Sequence, residues 1–169
     1  MSKEIAKIAI PGVQPVYQSK PLQEHVNDSY KSRGKLPEPA ICSECGAVYQ
    51  EGRWRWLPKP AQAHEVVCPA CHRIRDAIAA GYVRLEGEFL AQHREEILNL
   101  VRHVEQQEKA SHPLQRIMAI SDEEGAVLVT TTDVHLARGI GEAVRHAYQG
   151  NLELKYGHDE NLVQVHWKR

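Results

Sequence analysis

Apolar positions recur with two different periods in the second half of the chain. Residues 82–87 alternate between apolar and polar side chains, which is the pattern of a strand with one buried face. Residues 126–132, rich in β-branched side chains and preceded by Gly125, form a second predicted strand. Residues 93–110 and 133–148 instead repeat apolar side chains every three or four positions. This second pattern predicts two amphipathic helices.

The second of these helices has signals at both ends. Thr132 or Asp133 is expected to cap its first turn, and Gly150 follows its last residue. Burial of one helix face would hold it against a sheet. The side chains predicted to form that face are Leu136, Ile140, Val144 and Ala147.

Three further short runs with strand character complete this half of the chain, at residues 116–120, 152–156 and 162–167. The predicted order of elements is therefore β-α-β-β-α-β-β. That is the order of a ferredoxin-like, split βαβ fold with one additional strand. We expect an α+β chain in which residues 76–169 form this domain.

The first 75 residues follow no such period. Residues 1–40 contain five prolines, and we expect them to form an extended basic arm that is disordered when free. Residues 41–75 contain all four cysteines and are predicted to fold as a zinc ribbon. The chain is thus expected to have three parts, which are the arm, the ribbon and the ferredoxin-like domain.

The composition of the 169 residues is that of a globular protein, with 42% hydrophobic and 25% charged residues. No apolar run approaches the roughly 18 residues of a membrane helix. The opening stretch MSKEIAKIAIPGV is interrupted by Lys7 and Pro11 and does not resemble a secretory signal. We therefore expect a cytoplasmic protein with no membrane partner. In the cytoplasm, cysteines are more often metal ligands than disulfides.

The cysteines form two Cys-x-x-Cys pairs, Cys42/Cys45 and Cys68/Cys71, separated by 22 residues. Four thiolates satisfy the tetrahedral preference of zinc, so we predict one structural Zn²⁺ per chain, bound by all four sulfurs. A redox-active pair would instead lie at the strand-to-helix junction of a thioredoxin-like fold. A catalytic zinc would leave one ligand position open, and the nearby histidines are interpreted as bystanders.

Charge is distributed unevenly along the chain. The net charge is −1, but residues 1–75 carry eleven Lys/Arg and seven Asp/Glu, whereas residues 76–169 carry ten and fifteen. The motif RWRW at residues 53–56 lies in the basic half. On a strand it would place both tryptophans on one face and both arginines on the other. The tryptophans would form a small core at the metal site, stack on bases, or point inward while the arginines contact phosphate.

The candidate RNA-binding residues come from three segments, which are the basic end of the arm, the RWRW strand with its continuation, and the helix start at residues 130–138. They are Lys31, Arg33, Lys35, Arg53, Trp54, Arg55, Trp56, Lys59, His135 and Arg138. The last two lie at a predicted helix N-terminus, which attracts anions. Ordinary N-capping explains the same run of residues.

Known catalytic motifs are missing from the sequence. The phosphate-binding loop G-x-x-x-x-G-K-[ST], the G-x-S-x-G elbow and the H-E-x-x-H motif do not occur. Gly139 and Gly141 form a Gly-x-Gly inside a predicted helix, where close helix packing is the simpler explanation. We expect a protein that is not an enzyme and has no small-molecule substrate.

Three stretches, CSECGAVYQEGRWRW, CPACHRI and TTTDVHLARGIGEAVRHAYQG, resemble a bacterial family of small zinc-ribbon proteins of unassigned function over residues 20–169. More distantly, residues 41–167 are similar to the N-terminal zinc-binding and α/β region of the archaeal and eukaryotic large-ribosomal-subunit export adaptor family. That family has more Cys-x-x-Cys pairs, and its export signals have no counterpart here. The resemblance implies binding to the ribosome or to structured RNA. Only the four cysteines carry over residue by residue.

The leading hypothesis is a zinc-stabilised RNA-binding protein that associates with the ribosome in regulation, hibernation or assembly. The ribbon and the arm would contact ribosomal RNA, and the acidic C-terminal domain would face a ribosomal protein. One alternative is a cytosolic protein-interaction adaptor whose zinc ribbon is purely structural. Another is a hydrolase that uses the helix start at residues 130–138.

Overall fold

The structure, a computed structural model, describes residues 13–15, 30–31, 34–157 and 161–169, the first of these as backbone only. Ten strands and three helices lie in this part of the chain, and the strands form one sheet of four and one of six. In chain order the elements are β1 (Val13–Pro15), β2 (Ala40–Cys42), β3 (Val48–Gln50), β4 (Arg53–Arg55), β5 (His64–Val66), α1 (Pro69–Asp76), β6 (Gly81–Glu86), α2 (Glu88–Ser111), β7 (Ile117–Glu123), β8 (Ala126–Thr131), α3 (Val134–Tyr148), β9 (Asn151–Gly157) and β10 (Val163–Lys168).

The four-stranded sheet carries the first cysteine pair and the RWRW strand. Its order is β4-β3-β2-β5, with β2 parallel to β5 and the other neighbours antiparallel. Glu51 and Gly52, at φ of 54° and 74°, make the tight turn between β3 and β4. The segment after β4 then returns as β5 alongside β2, which completes the four-stranded sheet.

A short helix that the sequence analysis did not predict follows β5. α1 begins with Cys68 as its N-cap and a proline at its first position, and it ends at Ala77 in the left-handed conformation. Tyr30 contacts this helix, because its ring centroid lies 4.5 Å from the guanidinium carbon of Arg73 and its hydroxyl donates to Asp76 at 3.0 Å. The end of the N-terminal arm therefore lies against the ribbon.

The six-stranded sheet has the order β1-β9-β10-β6-β8-β7, with β10 parallel to β6 and the other neighbours antiparallel. The chain order β6-α2-β7-β8-α3-β9-β10 agrees with the predicted order, and the α+β class is confirmed. The additional strand β10 lies inside the sheet, between β9 and β6. Apolar alternation sets which face of a strand is buried but not which strands are its neighbours, so the sequence could not locate it.

A piece of the predicted arm belongs to this sheet. β1 pairs antiparallel with residues 155–157 of β9 and forms one edge. The remaining arm residues before Tyr30 lie outside the described residues. The expectation that the arm is disordered when free therefore stays a prediction.

The core lies between one face of the six-stranded sheet and the two longer helices. Leu136, Ile140 and Val144 of α3 are fully buried, as predicted. Ala147 is exposed, so its assignment to the inner face was wrong. The inner position in the last turn belongs instead to Tyr148, four residues after Val144, which packs against the core.

The helix starts are defined by specific residues. α2 begins five residues earlier than predicted, after Gly87 at φ 111°, and is kinked at His93. α3 begins after Asp133, whose carboxylate accepts the N–H of His135 at 2.8 Å. A Cβ on Gly141 would lie 2.4 Å from Val165, which explains this glycine by close packing of α3 on the sheet.

Candidate metal centre

The first cysteine pair closes a tight turn at the end of β2. The Cys42 N–H donates to the carbonyl of Ala47 at 2.8 Å, and the Gly46 N–H donates to the carbonyl of Cys42 at 2.9 Å. Gly46 has a φ of 78°, a conformation that side chains disfavour. The turn brings the sulfurs of Cys42 and Cys45 within 4.8 Å of each other.

The second pair lies where β5 leads into α1. Cys68 is the N-cap of the helix, and its sulfur accepts the N–H of Cys71 at 3.4 Å. The N–H of Cys68 donates to the sulfur of Cys42 at 3.3 Å, which joins the two turns. A strand-to-helix junction is also where a redox-active pair was expected to lie. Here, however, the pair faces two further cysteines.

The four sulfurs converge as the sequence predicted. Those of Cys42, Cys45, Cys68 and Cys71 lie within 4.8 Å of one another, and three of the four residues are buried. The Cys45 and Cys68 sulfurs are 3.7 Å apart, well beyond a disulfide bond, and all four cysteines are free. Sulfurs about 2.3 Å from a tetrahedral zinc ion would be about 3.8 Å apart. The donor set and its spacing therefore fit a four-coordinate metal ion such as zinc.

A buried arginine from outside the ribbon contacts the same sulfurs. Nη2 of Arg116 lies 3.2 Å from the sulfur of Cys68 and 3.5 Å from those of Cys45 and Cys71, and Nη1 lies 3.5 Å from Cys71. Only 8% of Arg116 is exposed. No local signal marks it in the sequence, since it is a single arginine 45 residues after Cys71.

Burial and hydrogen bonding act in opposite directions on the pKa values of these groups. It raises the pKa of Cys68 and also that of Cys71, where Arg116 opposes it. Burial would raise the pKa of Cys42 too, but hydrogen bonds from the backbone of Cys68 and Cys45 outweigh it, and that pKa is lowered. Burial disfavours the charged form of Arg116, yet the surrounding sulfurs outweigh it and raise the arginine pKa. Because thiols bind metal ions as thiolates, a metal ion bound at these cysteines would displace their protons.

Trp54 supplies the apolar side of the cysteine cluster. It packs against the cluster together with Val67 and Leu114, and its ring centroid lies 5.4 Å from that of Tyr49. Apart from the cysteines, the fully covered residues of this cluster are two alanines. This position of Trp54 agrees with the small-core interpretation of the RWRW motif.

Trp56 lies beyond the end of β4 and contacts the α/β domain. Its indole N–H donates to the carbonyl of Lys109, near the end of α2, at 2.7 Å. The residue is 39% exposed. The prediction that both tryptophans share one strand face assumed that the strand continues through residue 56, whereas β4 ends at Arg55.

The basic candidates of the ribbon lie at its surface. Arg53 and Lys59 are exposed, and neither forms an ion pair within the described part of the chain. Arg55 is partly exposed and pairs with Glu51 at 2.9 Å. Because β4 is an edge strand, a partner could approach this side of the ribbon.

The basic end of the arm is described only in part. Lys31 and Lys35 are exposed, whereas Arg33 lies outside the described residues. Lys35 precedes β2 by a few residues, so the arm leads into the strand that ends at Cys42.

The helix start at residues 130–138 is occupied by contacts within the chain. Asp133 caps α3, and His135 Nδ1 lies 3.3 Å from the Asp133 carboxylate. Arg138 donates from Nε to Glu142 at 2.7 Å. These contacts agree with ordinary N-capping, and both cationic candidates have an acidic neighbour.

A scan against protein-family models found no match to this chain, and searches of curated proteins and of solved structures found none either. The resemblance carried by the three sequence stretches therefore stays an expectation. No helix among the described residues is both long enough and apolar enough to cross a membrane.

Proposed function

We propose that the chain is a non-enzymatic, zinc-stabilised RNA-binding protein that associates with the ribosome. The observation that carries this proposal is the position of Arg53 and Arg55 on β4, the outer strand of the ribbon. Trp54 lies between them and packs against the cysteine cluster, so strand alternation puts both arginines on the opposite face. Paired guanidinium groups on an accessible strand are suited to phosphate oxygens.

The metal proposed for the cysteine cluster is zinc, with one ion per chain. Four cysteine sulfurs form a soft, complete donor set, which is typical of structural zinc. Such an ion would fix the two cysteine turns relative to each other. It would leave no ligand position for a water nucleophile, which favours a structural role.

The distribution of charge supports the ribbon as the side that faces RNA. Residues 31–59 contain six basic residues against Glu38, Glu44 and Glu51. Residues 76–169 contain fifteen acidic and ten basic residues, so phosphate would be repelled from this domain. RNA would therefore contact the ribbon and the arm, while the acidic domain would face a ribosomal protein.

The finer description proposed for residues 76–169 is a ferredoxin-like, split βαβ domain with an inserted strand. The unit β6-α2-β7 has β8 between its two strands, and the unit β8-α3-β9 has β6 and β10 between its strands. The proposed compartment is the cytoplasm, where four cysteines stay reduced.

Charge reversal on the outer strand tests the RNA-binding proposal. The double variant Arg53→Glu/Arg55→Glu is expected to lose most of its co-sedimentation with ribosomes while its zinc content stays unchanged. The matched control is Arg102→Glu/Arg145→Glu, which reverses two exposed charges on α2 and α3 and is expected to leave co-sedimentation unchanged. Intact co-sedimentation of the first double variant at physiological salt would contradict the proposal.

Salt dependence gives an independent measure of phosphate contacts. If about four phosphates are neutralised, the logarithm of the affinity for ribosomal RNA should fall with the logarithm of the salt concentration at a slope of roughly −3 to −4. The Arg53→Glu/Arg55→Glu variant should show a shallower slope than the wild-type chain. A flat dependence for the wild-type chain would argue against phosphate contacts.

A protein-interaction adaptor is the second candidate, and exposed apolar residues at the ribbon helix favour it. Ile74 in α1 is 43% exposed, and Ile78 just after α1 is 50% exposed. Exposed isoleucines of this kind favour a protein partner over a nucleic acid. An adaptor would bind with little salt dependence and would retain no RNA. The contacts at the helix start of α3 provide no comparable support for a hydrolase.

A further inference from the structure

We infer that Arg116 is an outer-sphere partner of the metal centre, through which the α/β domain stabilises the metal–thiolate group. This rests on the metal site proposed above and is independent of RNA binding. All four cysteines lie before residue 76, whereas Arg116 lies just before β7. The inference therefore makes the α/β domain part of the metal centre.

The guanidinium reaches three of the four sulfurs. Nη2 lies within 3.5 Å of the sulfurs of Cys45, Cys68 and Cys71, and Nη1 contacts Cys71 a second time. The sulfur of Cys42 accepts the N–H of Cys68 instead. Among the described residues, no backbone N–H donates to the sulfur of Cys45 or Cys71. The arginine is thus what completes the hydrogen bonding of these two sulfurs.

The charge of Arg116 requires a counter-charge at this position. It is nine-tenths buried, and no carboxylate of the described residues lies within ion-pair distance of it. A buried cation is unfavourable without an anionic partner, and four neutral thiols would not supply one. A zinc ion with four thiolates carries two net negative charges, of which a guanidinium cancels one. Thiolates therefore explain the buried arginine, and a bound metal ion explains the thiolates.

Hydrogen bonds of both its side chain and its backbone hold the arginine in place. Its Nε donates to the carbonyl of Pro113 at 2.9 Å. Its backbone N–H donates to the Thr132 hydroxyl at 2.9 Å, and its carbonyl accepts the Thr132 N–H at 2.9 Å. The Thr132 hydroxyl in turn donates to the carbonyl of Leu114, which packs against the cysteine cluster. Outer-sphere groups fixed in this way orient metal ligands and raise metal affinity.

These contacts give Thr132, the residue that follows β8, a structural role. Thr132 directly precedes Asp133, the cap of α3, so the start of that helix and the metal centre are joined through Arg116. Binding of the ion then stabilises the contact between the ribbon and the α/β domain. By linkage, that contact stabilises binding of the ion to the same extent.

A lysine would not replace this arginine fully. Its ammonium group keeps the charge but donates from a single point, whereas the planar guanidinium presents several N–H groups in a fixed fork. The arrangement around Cys45, Cys68 and Cys71 uses two nitrogens of that fork. Arg116→Lys should therefore be intermediate between the wild-type chain and a neutral variant.

The test compares Zn²⁺ affinity, measured by competition with a chromophoric chelator, among the wild-type chain, Arg116→Gln, Arg116→Lys and the exposed control Arg102→Gln. We expect Arg116→Gln to bind Zn²⁺ about 10- to 100-fold more weakly, Arg116→Lys to lose less, and the control to match the wild type. Co²⁺ absorption should show four-sulfur tetrahedral coordination in every variant, because the ligands are unchanged. A folded Arg116→Gln protein with an affinity within about twofold of the wild type would overturn the inference.

A second measurement on the wild-type chain covers the case in which Arg116→Gln does not fold. Amide hydrogen exchange is compared before and after Zn²⁺ is removed with a chelator. Exchange should accelerate in the ribbon and also at residues 113–118 and 130–133, which surround Arg116. Changes confined to the ribbon would overturn the inference. A wild-type chain that binds neither Zn²⁺ nor Co²⁺ would overturn the metal site and this inference together, whereas loss of RNA binding alone would contradict only the RNA proposal.

Discussion

The ribbon and the α/β domain bury different kinds of side chain. The core of the α/β domain contains large apolar residues, including Trp167, Leu85 and Ile97, which are fully buried. The covered cluster at the cysteines consists of cysteines and two alanines, with Trp54 packed partly over it, and the ribbon otherwise buries only Ala40 and Val48 among the apolar side chains of its described strands. Burial contributes roughly 25 cal/mol per Å² of apolar surface, so small side chains contribute little. A region built in this way needs a metal ion or an outside contact to be stable.

The strands of the ribbon sheet are also shorter than the strands of the α/β domain. Strands β2 to β5 have three residues each, whereas β6 to β10 have six or seven. Short strands form few backbone hydrogen bonds, and each residue ordered on folding loses conformational entropy. The α/β domain can thus be stabilised by its own core, while the ribbon depends on the metal centre, on Arg116 and on Trp56. Variants placed in one region or at the contacts between them should separate these two sources of stability.

Removal of the metal should have the largest effect, and it should be concentrated in the ribbon. Apparent binding energies of structural zinc sites are about 10–16 kcal/mol, a large contribution for a region with so small an apolar core. Cys45→Ser is expected to abolish stoichiometric zinc and to remove amide protection from residues 40–66, while β6, residues 126–129 of β8 and α3 keep theirs. Elemental analysis and hydrogen exchange on the same sample measure both effects.

The outcome that would break this distinction is cooperative unfolding of the whole chain in Cys45→Ser. The metal would then stabilise both regions, and the boundary near residue 75 would not separate independent units. Faster exchange limited to the ribbon and the segments around Arg116 would keep the two regions distinct. It would also identify where they are coupled.

The sequence was informative where a pattern is local. The spacing of Cys42, Cys45, Cys68 and Cys71 predicted their convergence, because two residues between paired cysteines direct both sulfurs to one side of a turn. The period of α3 and its Asp133 cap likewise predicted a helix whose bounds the structure reproduces. Each of these features depends on residues within a few positions of one another.

The sequence was uninformative where a feature depends on distant residues. α1 has only eight residues, too few for a clear apolar period, and its cap is a cysteine rather than a usual capping residue. The place of β10 between β9 and β6 is set by tertiary packing. Arg116 is recognisable only after the chain has folded, because nothing in residues 113–118 indicates that four sulfurs lie nearby.

Shortening a buried side chain in the α/β core should cause the next largest loss of stability and should leave the ribbon unchanged. Val144 is fully buried against the sheet, so Val144→Ala is expected to lower the free energy of unfolding by about 1–3 kcal/mol through lost burial and a cavity. Urea unfolding followed by helical circular dichroism measures this change, and zinc content should stay at the wild-type value. The exposed neighbour Arg145→Ala is the control, with a change within about 0.5 kcal/mol. Loss of zinc in Val144→Ala would show that the core supports the metal centre directly.

The ionised form of Glu86 should stabilise the α/β domain in a pH-dependent way. Its buried carboxylate lies 3.1 Å from Arg84 Nε, 3.1 Å from His166 Nε2 and 3.6 Å from Lys168 Nζ. The His166 Nε2 atom is close to the carboxylate but is not aligned for a hydrogen bond. Burial would raise the pKa of Glu86, but the neighbouring Arg84 and His166 outweigh it, and its pKa lies below the usual range. A lowered pKa in the folded state means that the ionised form favours folding.

The stability that Glu86 contributes should therefore be complete above about pH 4.3, the pKa of an unperturbed glutamate, and should be lost as the pH falls through its lower folded-state pKa. The difference in unfolding free energy between the wild-type chain and Glu86→Gln should shrink in that acidic range. Both proteins lose bound metal in acid alike, so the difference isolates the α/β domain. Glu153→Gln, at an exposed position on β9, is the control. A difference that grows toward low pH would show that the sign is wrong.

The smallest predicted effect concerns the hydrogen bond between Trp56 and Lys109, which connects the ribbon to α2. The Lys109 carbonyl belongs to the last turn of α2, where carbonyls have no partner within the helix, and the Trp56 indole N–H supplies one at 2.7 Å. Trp56→Phe keeps most of the ring but removes the donor, so it should cost about 0.5–1.5 kcal/mol, toward the lower end because the residue is partly exposed. The loss should appear as earlier unfolding of the ribbon relative to the α/β domain in a urea titration that follows both regions by hydrogen exchange. Trp54→Phe is the comparison variant, since that ring packs on the cysteine cluster and its change should reduce zinc affinity instead. If Trp56→Phe shifts neither the unfolding of the ribbon nor that of the α/β domain, its hydrogen bond to Lys109 does not hold the two regions together. Of the two contacts compared, Arg116 at the metal centre would then be the one that does.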